Sequence, residues 1–153
     1  MMIKYFLASF SLIFLMTCEK EDEVEDCAAV SCLAQTASIE YVNANGDNLI
    51  ANKTYLLKDI RIVKEENLVN TNQETEETQV QFFISGSEGE NTYSIELNDS
   101  ENDILTLNLN MTSPRSECCN PIFEIINATY NGSSIEIITE NNGPKIVVVK
   151  SQD

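Results

Sequence analysis

The chain has 153 residues, enough for one domain, and sets 25 acidic side chains against 9 basic ones for a net charge of −16. So acidic a surface repels phosphate backbones and anionic headgroups, which excludes nucleic acid as a partner and membrane attachment by charge alone. Histidine and tryptophan are both absent, removing the commonest general base, the Ser-His-Asp and Cys-His arrangements, most zinc sites and the best sugar-stacking ring.

The chain begins with one charge, Lys4, followed by an apolar run over residues 6–16. A charged start and a short apolar stretch are the anatomy of a signal peptide, whereas a spanning helix needs roughly 20 apolar residues. The run ends in Leu15-Met16-Thr17-Cys18. These four residues resemble the lipobox of bacterial lipoproteins, with Thr17 where Gly, Ala or Ser is commoner. The resemblance implies a signal peptide over residues 1–17, cleavage before Cys18 and a diacylglycerol on its sulfur. Two or more acyl chains are what stable anchoring physically requires. Next come Glu19-Lys20-Glu21-Asp22-Glu23-Val24-Glu25-Asp26. A lysine and a short acidic run behind the cysteine resemble the export signal of Bacteroidota surface lipoproteins, which implies an outer-membrane anchor with the domain facing the cell exterior. The same residues read as a self-repelling spacer, and the two readings are compatible.

Five cysteines in an exported chain leave one unpaired. Lipid on Cys18 accounts for the odd one and leaves Cys27, Cys32, Cys118 and Cys119 for two bridges in an oxidising exterior. A bond between the adjacent Cys118 and Cys119 closes a strained ring, so Cys27 and Cys32 are each expected to reach one of that pair, the connectivity left open. Spacings of C-x4-C and C-C do not match the paired C-x-x-C of structural zinc sites. The segment 18–35 is thus expected to be a tether stapled by disulfides to a domain spanning 36–153.

From residue 36 the pattern has period two. Ile39 and Tyr41 alternate before the turn at 43–47, and residues 55–63 are β-rich, with Ile60 and Ile62 in alternation. Residues 65–78 are polar and aperiodic and predict a loop. Val80, Phe82 and Ile84 share a face, as do Tyr93, Ile95 and Leu97, and then Leu105, Leu107, Leu109 and Met111. Two prolines mark residues 113–121 as a loop. Strands over 122–130 and 134–139 flank Asn131-Gly132, a strong hairpin signal, and a last strand covers 145–150. Seven to eight short strands with turns between them predict an all-β antiparallel sandwich, immunoglobulin-like or transthyretin-like.

Candidate sites are few. Asn98-Asp99-Ser100-Glu101-Asn102-Asp103 gathers oxygen ligands that calcium could use, but the EF-hand glycine and twelfth-position glutamate are missing, and Asx-turn chemistry explains the residues. Arg115, Glu117 and Asn120 form a possible ligand loop, Arg115 offering a planar fork to an anion. Adjacent carboxylates such as Glu76-Glu77 are not the opposed pair that glycoside hydrolysis needs. No metal or cofactor is expected. The reading is a lipid-anchored, non-enzymatic binding module for a protein or glycan, contacting it through loops 113–121 and 65–78. The alternatives are a structural envelope lipoprotein and a small carboxylate hydrolase, the last requiring two facing acids with raised pKa values.

Overall fold

In a strand every second side chain points to the same face, and in this chain those faces are apolar. A computed structural model describes residues 27, 30–69, 71–72, 78–116, 118–140 and 143–151, and they build two stacked sheets, the expected all-β sandwich. The first sheet runs, in spatial order, β10 (Ile137–Glu140), β11 (Gly143–Val149), β1 (Thr36–Val42), β5 (Val80–Phe83) and β4 (Thr71–Asn72). The second runs β3 (Asn67–Leu68), β2 (Arg61–Lys64), β6 (Gly89–Asn98), β7 (Glu101–Ser113), β8 (Ile122–Tyr130) and β9 (Ser133–Ile135). All pairs are antiparallel except β1 with β11, which run parallel at the centre of the first sheet.

The described residues hold eleven strands where about eight are expected, and the surplus lies at the corners. Residues 134–139, read as one strand, break at the exposed Glu136. Ile135 pairs with Ala128 in the second sheet and Ile137 with Ile146 in the first, so both isoleucines pack on the core from different sheets. The expected loop 65–78 is likewise a corner. Lys64 and Asn67 pair across a two-residue turn, and Thr71 and Asn72 pair with β5. Glu65 and Glu66 hold that turn with positive φ, 48° and 66°, a region costly for residues with a Cβ. The chain therefore crosses from the second sheet to the first twice, bridging both long edges of the sandwich.

The core is the set of inward rows: Ile39 and Tyr41, Phe82, Ile146 and Val148 from one sheet, and Ile62, Tyr93, Ile95, Leu105 and Leu107 from the other, all buried. In β8 one extra residue between the partners of Asn108 and Leu109 shifts the alternation. That bulge turns Ile126 outward and lets both Phe123 and Tyr130 face the core. Met111, expected on the core face, lies opposite Phe123 but near the end of the sandwich, and is exposed.

Ahead of β1, the Gln35 side chain substitutes for a strand partner. Its amide donates to the Phe123 carbonyl, and its oxygen accepts from the Phe123 N–H at 2.8 Å. This pin brings the lead segment beside the 113–121 loop, where Cys27 bonds Cys118 and Cys32 bonds Cys119. The vicinal pair is thus shared between the two upstream cysteines, as the strain argument predicts. Cys18, residues 1–17 and the acidic run lie outside the described residues.

Candidate functional site

Two of the inward rows end in charges of opposite sign. In β7 the series Leu109, Leu107, Leu105 continues back to Asp103 and Glu101; in β11 the series Ile146, Val148 continues to Lys150. The rows end on the same side of the sandwich, and Lys150 Nζ sits between the carboxylates, 2.5 Å from Glu101 Oε1 and 2.6 Å from Asp103 Oδ2. A carboxylate as buried as Asp103 needs partners for all its lone pairs. It receives the Tyr130 hydroxyl at 2.7 Å and the Asn131 amide at 2.6 Å. Asn131 can reach because the Asn131-Gly132 turn adopts positive φ at both residues, 49° and 79°, as the hairpin signal predicts.

Three tyrosines floor this network. Tyr41 packs edge-on against Tyr55 and Tyr130, with ring centroids 5.7 and 6.2 Å apart, and Tyr55 donates to Glu101 at 3.1 Å. Lys150 Nζ also lies 5.8 Å from the Tyr130 ring centroid. Burial opposes ionisation of Asp103, but hydrogen bonds from Lys150, Asn131 and Tyr130 outweigh it and hold its carboxyl below the usual range. Burial likewise opposes the Lys150 charge, and the bonds to Asp103 and Glu101 raise its pKa regardless. Desolvation pushes the Tyr55 hydroxyl up to about 12 and raises Tyr41 and Tyr130 as well. Near neutral pH Asp103 is therefore ionised beside the Lys150 ammonium, and the three phenols are neutral.

The network forms the base of a cleft of about 610 Å³ between β9 and the second half of β11, lined by residues 133–136 and 147–151 with Glu101, Tyr130 and Asn131. On the other side of Glu101 a second hollow of about 470 Å³ holds Lys58, Arg61 and the β6–β7 turn. In that turn Asn98 Oδ1 accepts from the N–H and hydroxyl of Ser100, both at 2.9 Å. Those are the bonds of an Asx turn. Asp103 points into the core and Glu101 meets it on Lys150, so the acids of 98–103 do not gather within the turn, and no group of three metal-binding side chains occurs among the described residues.

The expected ligand loop lies elsewhere. Thirteen-residue β7 separates Glu101 from Ser113, so the loop 113–121 is at the opposite end of the sandwich, roughly 40 Å away at 3.3 Å per residue. Arg115 and Asn120 are exposed there, and Glu117 lies outside the described residues. Within the loop Ser116 and Cys119 bond each other, at 3.1 Å between backbones and 3.0 Å through the serine hydroxyl. That end is a disulfide clasp.

Comparison with family models, curated proteins and solved structures found no match to this chain.

Proposed function

We propose that this chain is an exported lipoprotein, anchored through lipid on Cys18 to the outer membrane and facing the cell exterior, whose sandwich is a binding module and not an enzyme. The observation that carries this reading is the cysteine pairing. Four of the five cysteines are joined in two bridges, the pattern of an oxidising compartment. Cys18 alone is left for another fate, and it stands directly behind a signal-like apolar run.

The cleft supports binding over catalysis. A carboxylate hydrolase needs one acid held protonated near neutral pH. Here the hydrogen bonds around Asp103 favour its ionised form, and Glu101 is tied to the same ammonium. The arrangement fixes charge; it is not poised to exchange a proton.

Mass spectrometry of the protein from its native membrane, with protease shaving of intact cells, tests the proposal. The expected result is a diacylated N-terminal Cys18 peptide and a domain released by external protease. An unmodified Cys18 with residues 1–17 retained, or a domain shielded from protease in intact cells, would overturn it.

A further inference from the structure

The cleft beside Lys150 is bounded on one side by a stretch of strand that lacks a neighbour. β10 pairs with β11 only as far as Ile137 opposite Ile146, and then the chain turns away through Glu136 into the other sheet. The lane beside residues 147–149 of β11 is therefore vacated. On its other side β11 pairs with β1 over residues 145–149, and the Lys150 N–H donates to the Val42 carbonyl at 2.8 Å. Backbone direction alternates along a strand, so Lys150, Val148 and Ile146 turn their peptide groups toward β1, and Val147 and Val149 turn theirs into the vacated lane. Val149 thus turns its N–H and C=O into the cleft with the Val147 C=O, whereas the Val147 N–H faces the Glu136 carbonyl beside the last rung, Ile137 opposite Ile146. Across the cleft, the two-residue hairpin makes Tyr130 and Ser133 the bonded pair and turns the Ser134 peptide groups outward as well.

Charge selects what could enter. The lining carries Glu101, Glu136 and Lys150, and the lysine is already held by Glu101 and Asp103. The exposed Glu136 at the narrow end adds to a chain of net charge −16. Copies of this chain repel one another, and a cationic strand is attracted.

We infer that the lane beside Val147 and Val149 takes an extended, cationic peptide segment of another protein, which adds to β11 as an edge strand. This rests on the proposed reading of the domain as a binding module and names its partner class. The open stretch, residues 147–151, accommodates about five residues, or about 17 Å of strand. Main-chain bonds to the two valines supply register, and basic side chains on the acidic rim supply selectivity.

The test uses the full-length protein in neutral detergent micelles and a dye-labelled hexapeptide, Lys-Val-Lys-Val-Lys-Val, followed by fluorescence anisotropy. The expected result is saturable binding that weakens with added salt. A Glu-Val-Glu-Val-Glu-Val probe should not compete, and a lysine peptide N-methylated at alternate amides should bind about tenfold more weakly, since it cannot complete the ladder. Val149→Pro should cost about the same factor, because it removes an N–H that faces the cleft and leaves the β1 ladder intact. Its melting temperature should stay near that of the parent; the methylated peptide makes the same test on unaltered protein. No saturable binding overturns the inference. Equal binding of the methylated peptide reduces the attraction to charge and overturns it too. A concentration-dependent dimer abolished by Val149→Pro would assign the lane to a second copy. None of these readouts depends on acylation of Cys18, so failure here and failure of the lipoprotein reading are separately visible.

Discussion

Because the two disulfides share an adjacent pair of cysteines, their contributions to stability should not add. Cys27–Cys118 and Cys32–Cys119 close loops of 91 and 87 residues. In the chain-entropy model either alone restricts the unfolded chain by about 4.6 kcal/mol. Once one is closed, the other closes only the small ring made of residues 27–32 and the vicinal pair, about eight residues and about 2.5 kcal/mol. Removing either bridge by a double Cys→Ser substitution should therefore cost about 2.5 kcal/mol, and removing both about 7 kcal/mol. The native body holds the ends of the loop together without them, through the Gln35 clasp on Phe123, so the penalty belongs to the unfolded state. Urea titrations of the parent, the two double variants and the quadruple variant measure it, with slopes rising as bridges are lost because the unfolded chain expands. Single-bridge losses near 4.6 kcal/mol each, summing to the quadruple value, would refute the shared-loop account.

Lys150→Met should leave Asp103 as a buried carboxylate without its cation and cost about 3–5 kcal/mol in chemical denaturation at pH 7. The folded pKa of Asp103 lies below its ordinary 3.8, so its contribution is complete above that value and lost as pH falls through the folded one. That of Lys150 lies above 10.5, so its contribution is complete below 10.5 and lost as pH rises through the folded one. The gap between parent and variant should accordingly be widest between these limits and narrow in acid; a pH-independent gap would contradict this. Replacing the strained turn by Glu65→Asn with Glu66→Gly should stabilise the protein by about 1–2 kcal/mol, whereas Gln at both positions removes the charges, keeps the positive φ and should gain less. Gly86→Ala should cost about 2–4 kcal/mol by thermal melting, because its Cβ would lie 2.0 Å from Asn91 Oδ1, displacing a buried amide that accepts from Lys64 and Ser87 and donates to the Ser87 and Gly89 carbonyls.

Alternation made the fold class legible, because inward rows such as Tyr93, Ile95 and Leu97 are written directly in the chain. Pairing between distant strands is not: nothing local tells β1 to lie parallel to β11, nor that residues 134–139 divide between sheets at Glu136. The 610 Å³ cleft was missed for the same reason. Its one sequence signal is that Asp103 continues the Leu105, Leu107, Leu109 row and Lys150 continues the Ile146, Val148 row, two opposite charges on core-facing positions. Reading 98–103 as a single turn hid the first of them. The loop 113–121 is marked by Arg115 and its prolines, and the cysteines that also mark it form the clasp.

An open β edge invites pairing with any other edge, and proteins normally shorten it, cover it or place charge on it. Here the corner strands β3, β4 and β9 are two or three residues long and offer little to pair with. The valines of β11 are different: a continuous run of three, fully laddered on one side and vacated on the other. Inward Lys150 ends the run, and the charge of −16 keeps copies of the chain apart. Both devices block pairing between like molecules, yet neither blocks a positively charged strand, and the acidic rim favours one. A β edge protected against its own kind and left open to the opposite charge has the selectivity of a binding site.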